Sequence, residues 1–217
     1  MVSNNFEKKM ENIGLFGGGF DPVHRAHIQM AKMAADQLRL DSVRWILAGN
    51  PAHKEIHTSA KHRLNMLKIA LKNLKDERMV IDQRELSKNI SKTSYTCETI
   101  KSLMKDFPEK RFFWILGEDQ LLKFKTWKNW KWLLRNLVLA LCRRPENGIR
   151  TKEILDYLNE RIRSLEEYGG KIIVLDKSPE NISSSCIRDL ISKRQNPSKI
   201  LDQSVYEYAK KNKLYLN

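Results

Sequence analysis

The chain has 217 residues, and its 40 Lys and Arg against 26 Asp and Glu give a formal net charge of +14. A hydrophobic content of 41%, with only 9 Gly and 6 Pro, supplies enough apolar side chains for a core and excludes a disordered or collagen-like chain. The longest aliphatic run, at residues 137–142, is far shorter than the roughly 20 residues that cross a bilayer, so we expect no membrane partner. The length suits one domain over residues 1–217.

The basic excess favours a polyanionic partner, which is a nucleic acid, a membrane surface or a phosphorylated small molecule; charge alone does not choose among them. Residues 1–14 lack the continuous apolar segment of a secretory signal, so we expect a cytoplasmic location. The three cysteines are widely spaced and form no C-x-x-C pair, which predicts free thiols.

Short strand-like apolar runs alternate with longer amphipathic patterns along the chain. The predicted strands are residues 13–16, 43–47, 79–81, 112–116, 137–141 and 172–175. The predicted helices are residues 25–38, 61–74, 95–104, a Trp-rich segment after the fourth strand, 152–168, one that starts at Ser183, and 202–212. Six or seven strands that alternate with helices predict an α/β fold with a doubly wound parallel sheet. Ligands of such sheets bind beyond the carboxyl ends of the strands, which directs attention to the loops that follow them.

The loop after the first strand, GGGFDPVHRAH at residues 17–27, has the outline of a phosphate site. Gly17, Gly18 and Gly19 let backbone N–H groups approach an anion, and the start of the next helix adds a favourable dipole. The pattern matches neither the P-loop nor G-x-G-x-x-G, so a glycine-rich tight turn remains the alternative.

Two histidines, His24 and His27, are spaced by three residues at the start of the first helix. That spacing in a helical turn places both imidazoles on one face, towards the glycines, where both can donate to one phosphate. An H-x-x-H pair can also bind zinc, but there is no cysteine nearby and no H-E-x-x-H pattern. We therefore expect no metal held by protein side chains.

The predicted helix that starts at Ser183 begins with consecutive serines, in the sequence ISSSCIR at residues 182–188. Ser183, Ser184 and Ser185 suit a helix start whose hydroxyls and N–H groups bind phosphate oxygens, and Arg188, one turn inside, suits a bidentate phosphate clamp. Ordinary helix caps use the same residues, so the motif gains weight only as a partner of the first loop.

Both segments resemble motifs of the nucleotidyltransferase superfamily, the first its (T/H)-x-G-H loop and the second its I-S-S-T-x-I-R helix start. Ala26 stands where that superfamily usually has Gly, and Gly19 stands where Thr or Ser is more common, which removes one possible hydroxyl donor. Ser185 in the Thr position keeps its hydroxyl. The resemblance implies a Rossmann-like nucleotidyltransferase fold and the transfer of an AMP or CMP unit onto a phosphate.

Three further segments resemble the bacterial nicotinate-nucleotide adenylyltransferases: AGNPAHK at residues 48–54, SYT at residues 94–96, and GED at residues 117–119 with Trp127 eight residues after the aspartate. This resemblance implies adenylyl transfer from ATP to nicotinate mononucleotide, which forms deamido-NAD and pyrophosphate in NAD biosynthesis. Mg²⁺ is expected to arrive with ATP.

By motif chemistry and resemblance together, the predicted catalytic residues are His24, His27, Lys54 and Arg188. The predicted ATP-binding residues are Gly17, Gly18, Gly19, Phe20, His24, His27, Gly117, Asp119, Ser183, Ser184, Ser185 and Arg188. The predicted acceptor-binding residues are Lys54, Thr96, Trp127 and Lys128, the last through its backbone.

Each of these segments also has an ordinary structural interpretation. Lys54 suits a solvated lysine, and both Thr96 and Asp119 suit helix caps. The tryptophans at 127, 130 and 132, interleaved with lysines, suit core aromatics or a stacking platform for nucleic acid.

Two alternatives to the implied function stay open at this point. A sister adenylyltransferase acting on nicotinamide mononucleotide or phosphopantetheine would keep the first and last motifs and change the acceptor pocket. A basic nucleic-acid-binding protein would use the net charge and the tryptophans, but it leaves the histidine spacing unexplained. We therefore expect small-molecule substrates and no nucleic-acid partner, with monomer or homo-oligomer left open.

Overall fold

The computed structural model describes residues 10–51, 56, 58–86, 93–145 and 152–216. The strands are β1 (Asn12–Gly18), β2 (Ser42–Leu47), β3 (Met79–Asp82), β4 (Arg111–Gly117), β5 (Val138–Cys142) and β6 (Lys171–Val174). The α-helices are α1 (Arg25–Gln37), α2 (Ala60–Leu74), α3 (Thr96–Asp106), α4 (Glu118–Leu122), α5 (Trp130–Asn136), α6 (Lys152–Glu166), α7 (Ser184–Ser192) and α8 (Gln203–Lys211). A short 3₁₀ helix, Phe124–Thr126, lies between α4 and α5.

All six strands pair in parallel in the order β3-β2-β1-β4-β5-β6, which confirms the predicted doubly wound sheet. Strands β2 and β3 lie on one side of β1, and strands β4, β5 and β6 follow one another on the other side. In such sheets the ligand crevice lies where the strand order reverses, beyond the carboxyl ends of the strands. Here that point is between the ends of β1 and β4.

The central strands β2, β1, β4 and β5 are buried on both faces, and alternate residues of each strand point to opposite layers. On one side, Phe16 and Trp45 belong to a core that α1, α2, α7 and α8 cover. On the other side, Leu15 and Trp114 belong to a core that α3 to α6 cover. The central strands are therefore rigid supports for the loops that leave their carboxyl ends.

The Trp-rich segment differs from its prediction as a helical region. Asn129 has a φ of 56°, in the left-handed region that Asn tolerates better than most residues, and it separates the 3₁₀ helix from α5. Trp127 consequently lies in extended backbone between two short helices. It does not share one helical face with Trp130 and Trp132.

No helix in the described part of the chain is both long and apolar enough to cross a bilayer. The three cysteines are free, as expected, and Cys97 and Cys142 are buried. Burial raises the pKa of the Cys142 thiol to about 12, so it stays protonated at neutral pH.

Candidate active site

The glycine loop begins inside the first strand, because β1 continues to Gly18 instead of ending at Phe16. A Cβ on Gly17 would lie 2.6 Å from Cη2 of Trp114 on the neighbouring strand β4. Gly17 is therefore required by close packing. The turn itself occurs at Phe20, a buried residue with a left-handed φ of 47°, which is uncommon outside glycine.

Replacing Gly17 by alanine should lower the free energy of unfolding by about 1–3 kcal/mol, because the added methyl forces the Trp114 ring to shift in a close-packed region. Urea unfolding checks this value. The matched control is Gly117→Ala, whose added Cβ would find its nearest neighbour, Cε of Met30, at 3.9 Å. Equal losses in the two variants would contradict the packing explanation.

The structure brings His24 and His27 together, with ring centroids 3.7 Å apart and nearly parallel planes. The pair does not have the predicted geometry of two residues within one helical turn. His24 is the N-cap of α1, with extended backbone, and is 5% exposed. Its backbone N–H donates to Nδ1 of His27 at 3.3 Å. The pair is thus set by the way α1 begins.

This hydrogen bond also sets the tautomer of the neutral His27 ring. Because Nδ1 accepts a hydrogen bond from the backbone N–H of His24, the ring proton is on Nε2. The ring packs edge-on against Phe20, at a centroid distance of 5.2 Å, and against Phe16 at 6.0 Å. His27 is thereby held as an Nε2–H donor beside the loop.

The start of α7 contacts the same loop. The Ser184 hydroxyl is buried and donates to the carbonyl of Pro22 at 3.0 Å, and Nη1 of Arg188 donates to the carbonyl of Asp21 at 2.9 Å. Ser184 therefore fixes the loop through its hydroxyl, a role that the sequence did not indicate. Arg188 uses one of its five N–H donors in this contact.

Of the other two serines, Ser183 caps α7 and Ser185 contacts Ser183. Ser183 is the N-cap, and its Oγ accepts from the N–H of Cys186 at 3.2 Å. Its Oγ also lies 2.9 Å from Oγ of Ser185. The predicted helix start therefore forms, and it places Arg188 beside the turn that precedes His24.

A cavity of about 450 Å³ opens at the carboxyl ends of the central strands. Its lining includes predicted residues from the ATP side and from the acceptor side, namely Gly17, Gly18, Gly19, Thr96, Asp119, Trp127 and Lys128. The remaining described candidates, His24, His27, Phe20, Gly117, Ser183, Ser184, Ser185 and Arg188, are not among its lining residues. The two groups meet at the glycine loop.

Trp127 packs against core aromatic rings and also lines the cavity. Its ring meets Trp114 edge-on at 5.9 Å and lies 5.1 Å from the ring of Phe124. The core interpretation and the ligand interpretation of this tryptophan are therefore compatible, because packing on one side holds a ring that lines the cavity on another.

Lys128 lines the cavity, and its ammonium contacts two neighbouring side chains. Its Nζ donates to Oε1 of Glu98 at 3.1 Å and lies 4.2 Å above the ring of Tyr95. The hydrogen bond to Glu98 raises the pKa of Lys128. The predicted ligand contact through the Lys128 backbone remains a prediction.

Asp119, in the first turn of α4, forms an exposed ion pair with Nη2 of Arg144. The backbone N–H of Arg144 also donates to Glu118 at 3.0 Å. Exposed pairs of this kind contribute little, about 0–1 kcal/mol, so a ribose hydroxyl can compete for the Asp119 carboxylate.

Lys54 lies outside the described residues, and its predicted role in phosphate binding stays a prediction. The segment that leads to it is described as far as Pro51, which forms an isolated parallel bridge with Ser94. Ala48 and Pro51 both line the cavity.

Arg63 is a residue of the site region that the motifs did not indicate. It is 1% exposed, and its guanidinium donates to the carbonyls of Gly19 at 2.9 Å, Ala48 at 2.8 Å and Thr58 at 3.0 Å. Arg63 therefore links the glycine loop to the loop after β2 through hydrogen bonds. A signal was present, because Arg63 shares the apolar face of α2 with Met66 and Leu67, where a solvated arginine does not belong.

The switch point of the parallel sheet carries a glycine loop, a histidine pair and a serine-capped helix whose arginine contacts the loop. This arrangement resembles that of the nucleotidyltransferases. Residues 15–190 match the cytidylyltransferase-like family. Two bacterial relatives are each described as a probable nicotinate-nucleotide adenylyltransferase. That of Chromobacterium violaceum is 32% identical over 94% of this chain and 98% of its own, and that of Bordetella petrii is 34% identical over 95% and 100%. The chain belongs to the nicotinate-nucleotide adenylyltransferase family.

A solved structure supports the fold assignment. The nicotinic acid mononucleotide adenylyltransferase of Plasmodium falciparum, complexed with NaAD, superposes with a TM-score of 0.76 at 20% identity. The match covers 94% of this chain and 97% of that one. The Rossmann-like nucleotidyltransferase fold expected from the resemblance is confirmed.

Proposed function

We propose that this protein transfers the adenylyl group of ATP to nicotinate mononucleotide and releases deamido-NAD and pyrophosphate, a step of NAD biosynthesis. The observation that carries this proposal is that the glycine loop, Thr96, Asp119 and Trp127 line one common cavity. Family membership supports the reaction class. We place the activity in the cytoplasm, in one domain over residues 1–217, with these two small molecules and no nucleic acid as partners.

The reaction needs no protein nucleophile. The phosphate of nicotinate mononucleotide, ionised near pH 7, attacks the α-phosphorus of ATP in line. The new P–O bond forms as the bond from the α-phosphorus to the bridging oxygen breaks, and pyrophosphate leaves with that electron pair. The protein therefore acts by positioning the reactants and by stabilising charge on phosphoryl oxygens.

On the ATP side, the Nε2–H of His27 donates to a phosphoryl oxygen on which charge increases in the transition state. His24 and Arg188 bind neighbouring phosphate oxygens, and Lys54 neutralises the reacting groups. The N-terminus of α7, with Ser183 and Ser185, adds backbone and hydroxyl donors. The backbone of residues 17–20 leaves room for the phosphates.

On the acceptor side, Trp127 stacks on the pyridine ring. Thr96 is the first residue of α3, where backbone N–H groups lack partners within the helix and favour an anion. This helix start and the backbone of Lys128 therefore prefer the nicotinate carboxylate to a neutral carboxamide. Gly117 and Asp119 hold the adenosine ribose.

Mg²⁺ fits this site as a metal carried by ATP. Within the described residues, no group of three His, Cys, Asp or Glu side chains comes together to hold a metal. Mg²⁺ prefers phosphate and water oxygens to an all-protein cage. When bound, it would offset phosphate charge during transfer, while the protein holds the phosphates through His24, His27 and Arg188.

The test is pyrophosphate release from ATP and Mg²⁺, with nicotinate mononucleotide, nicotinamide mononucleotide and phosphopantetheine compared in parallel. We expect a strong preference for the nicotinate substrate. Activity with another acceptor alone would overturn the Thr96 and Trp127 roles and keep the ATP site. Inactivity with all three would overturn the proposed function.

Replacing Trp127 by alanine should raise the KM for nicotinate mononucleotide about tenfold, since ring stacking contributes about 1–3 kcal/mol. The KM for ATP should stay nearly constant. Steady-state kinetics with each substrate varied in turn measure both values. The control is Trp130→Ala, because Trp130 packs against Tyr168 and does not line the cavity. A similar rise in the control would refute the stacking role.

A further inference from the structure

The C-terminal segment, residues 196–216, has no role in the proposed chemistry, yet it packs against the glycine loop, residues 17–27, and the helix that follows it. The Tyr208 hydroxyl in α8 accepts from Nδ2 of Asn65 at 2.8 Å and lies 2.9 Å from Nδ1 of His62, both in α2. Ahead of α8, the carbonyl of Lys199 accepts from Arg25, the first residue of α1, at 2.7 Å. The segment therefore contacts α1, which follows the glycine loop, and α2, which follows the loop after β2.

The end of this segment turns back towards the site. Lys213 and Tyr215 both have left-handed φ values, 51° and 62°, and the N–H of Leu214 donates to the carbonyl of Ala209 at 2.9 Å. This reversal brings the Tyr215 hydroxyl to Oδ1 of Asp21, to which it donates at 2.7 Å. Burial, and next the charge of Asp21, raise the pKa of Tyr215, so the hydroxyl keeps the proton that it donates.

Asp21 lies in the middle of the glycine loop. It is 2% exposed, follows the left-handed Phe20 and stands three residues before His24. Its carbonyl accepts from Arg188, and its carboxylate accepts from Tyr215. A shift of Asp21 would therefore move the turn that leads to the histidine pair.

We propose that Tyr215 is a positioning residue for adenylyl transfer, which fixes the glycine loop through the hydrogen bond from its hydroxyl to Asp21. The inference rests on the proposed function and assigns a role to the C-terminal tail. Tyr215 acts from behind the loop and contacts no reacting group. Because phosphoryl transfer depends on alignment, loss of this bond should affect turnover more than acceptor binding.

The test compares Tyr215→Phe with Tyr208→Phe, since each change removes one hydroxyl from the same segment. We expect Tyr215→Phe to lower kcat about tenfold and to leave the KM for nicotinate mononucleotide within about twofold. Tyr208→Phe should lower the melting temperature through its lost contacts with α2 while kcat stays within about twofold.

A double-mutant cycle with Asp21→Asn tests whether Tyr215 acts through Asp21. If it does, the double variant loses less kcat than the product of the two single losses. Additive losses, or equal kcat losses in the Tyr215 and Tyr208 variants, would overturn the proposal. If the Tyr215→Phe variant does not fold, the Asp21→Asn variant alone tests the proposal. An unchanged kcat in that variant would refute the positioning role of Tyr215.

Failure of this proposal can be distinguished from failure of the proposed function. A wild-type enzyme that releases no pyrophosphate with any acceptor overturns the function and the positioning role together. An active wild type with a fully active Tyr215→Phe variant overturns the positioning role alone.

Discussion

Replacing His27 by alanine should lower kcat about 10²–10³-fold, the typical cost of removing one preorganised donor to transition-state charge. The hydrogen bond from the His24 backbone to Nδ1 leaves Nε2–H as the donor of the neutral ring, and Phe16 and Phe20 hold the ring in place. The KM values should change much less, because the lost interaction strengthens only as charge builds up. Initial rates of pyrophosphate release at saturating substrates measure the loss.

The control for this variant is His62→Ala. His62 lies in α2, where Nδ1 contacts the Tyr208 hydroxyl, and it does not line the cavity. We expect it to lose some thermal stability and to retain turnover. A folded His27→Ala enzyme with near-wild-type kcat would overturn the transition-state role of His27.

The parallel sheet was predictable because its signal is local. Each buried strand reads as a short apolar run, and each helix as a longer amphipathic pattern, so their alternation predicts the topology. The loop positions followed directly, since parallel strands bring their carboxyl ends to one edge. The motif at residues 17–27 is therefore predicted to lie next to the motif at residues 183–188, and the hydrogen bond from Ser184 to Pro22 confirms this placement.

The contacts that hold the loop could not be predicted in this way. Tyr215 meets Asp21 across 194 positions of the chain, and neither residue has a neighbour in sequence that indicates the other. The sequence predicts that Gly17 lets a backbone N–H group approach an anion, but it does not show the close contact with Trp114 on β4 that also requires a glycine there. Local patterns indicate which residues bear chemistry, whereas long-range packing decides which residues support them.

The Trp-rich segment shows the same limit at shorter range. The spacing of its tryptophans and lysines suits a continuous helix, but the left-handed Asn129 interrupts it. That interruption separates Trp127 from Trp130 and leaves Trp127 at the cavity. A single backbone conformation thus changes which aromatic ring is available to a ligand.

Replacing Arg63 by methionine should lower the free energy of unfolding by about 3–5 kcal/mol, the usual cost of removing one partner from a buried charged network. Methionine fills similar volume, so the loss reflects hydrogen bonds and charge more than a cavity. The carbonyls of Gly19 and Ala48 lose their donor. The nearby Asp21, whose charge opposes the lowering of the Arg63 pKa by burial, loses a favourable positive charge.

Urea unfolding of Arg63→Met beside Arg163→Met measures this cost, because Arg163 is exposed on α6 and its loss should change stability by less than about 0.5 kcal/mol. Arg63→Lys should fall between the two, since an ammonium keeps the charge but cannot reproduce the planar fork that reaches separate carbonyls. Equal stability of the Met and Lys variants would mean that the charge contributes nothing beyond packing. A stable Arg63→Met enzyme with full turnover would show that the two loops keep their places without this arginine.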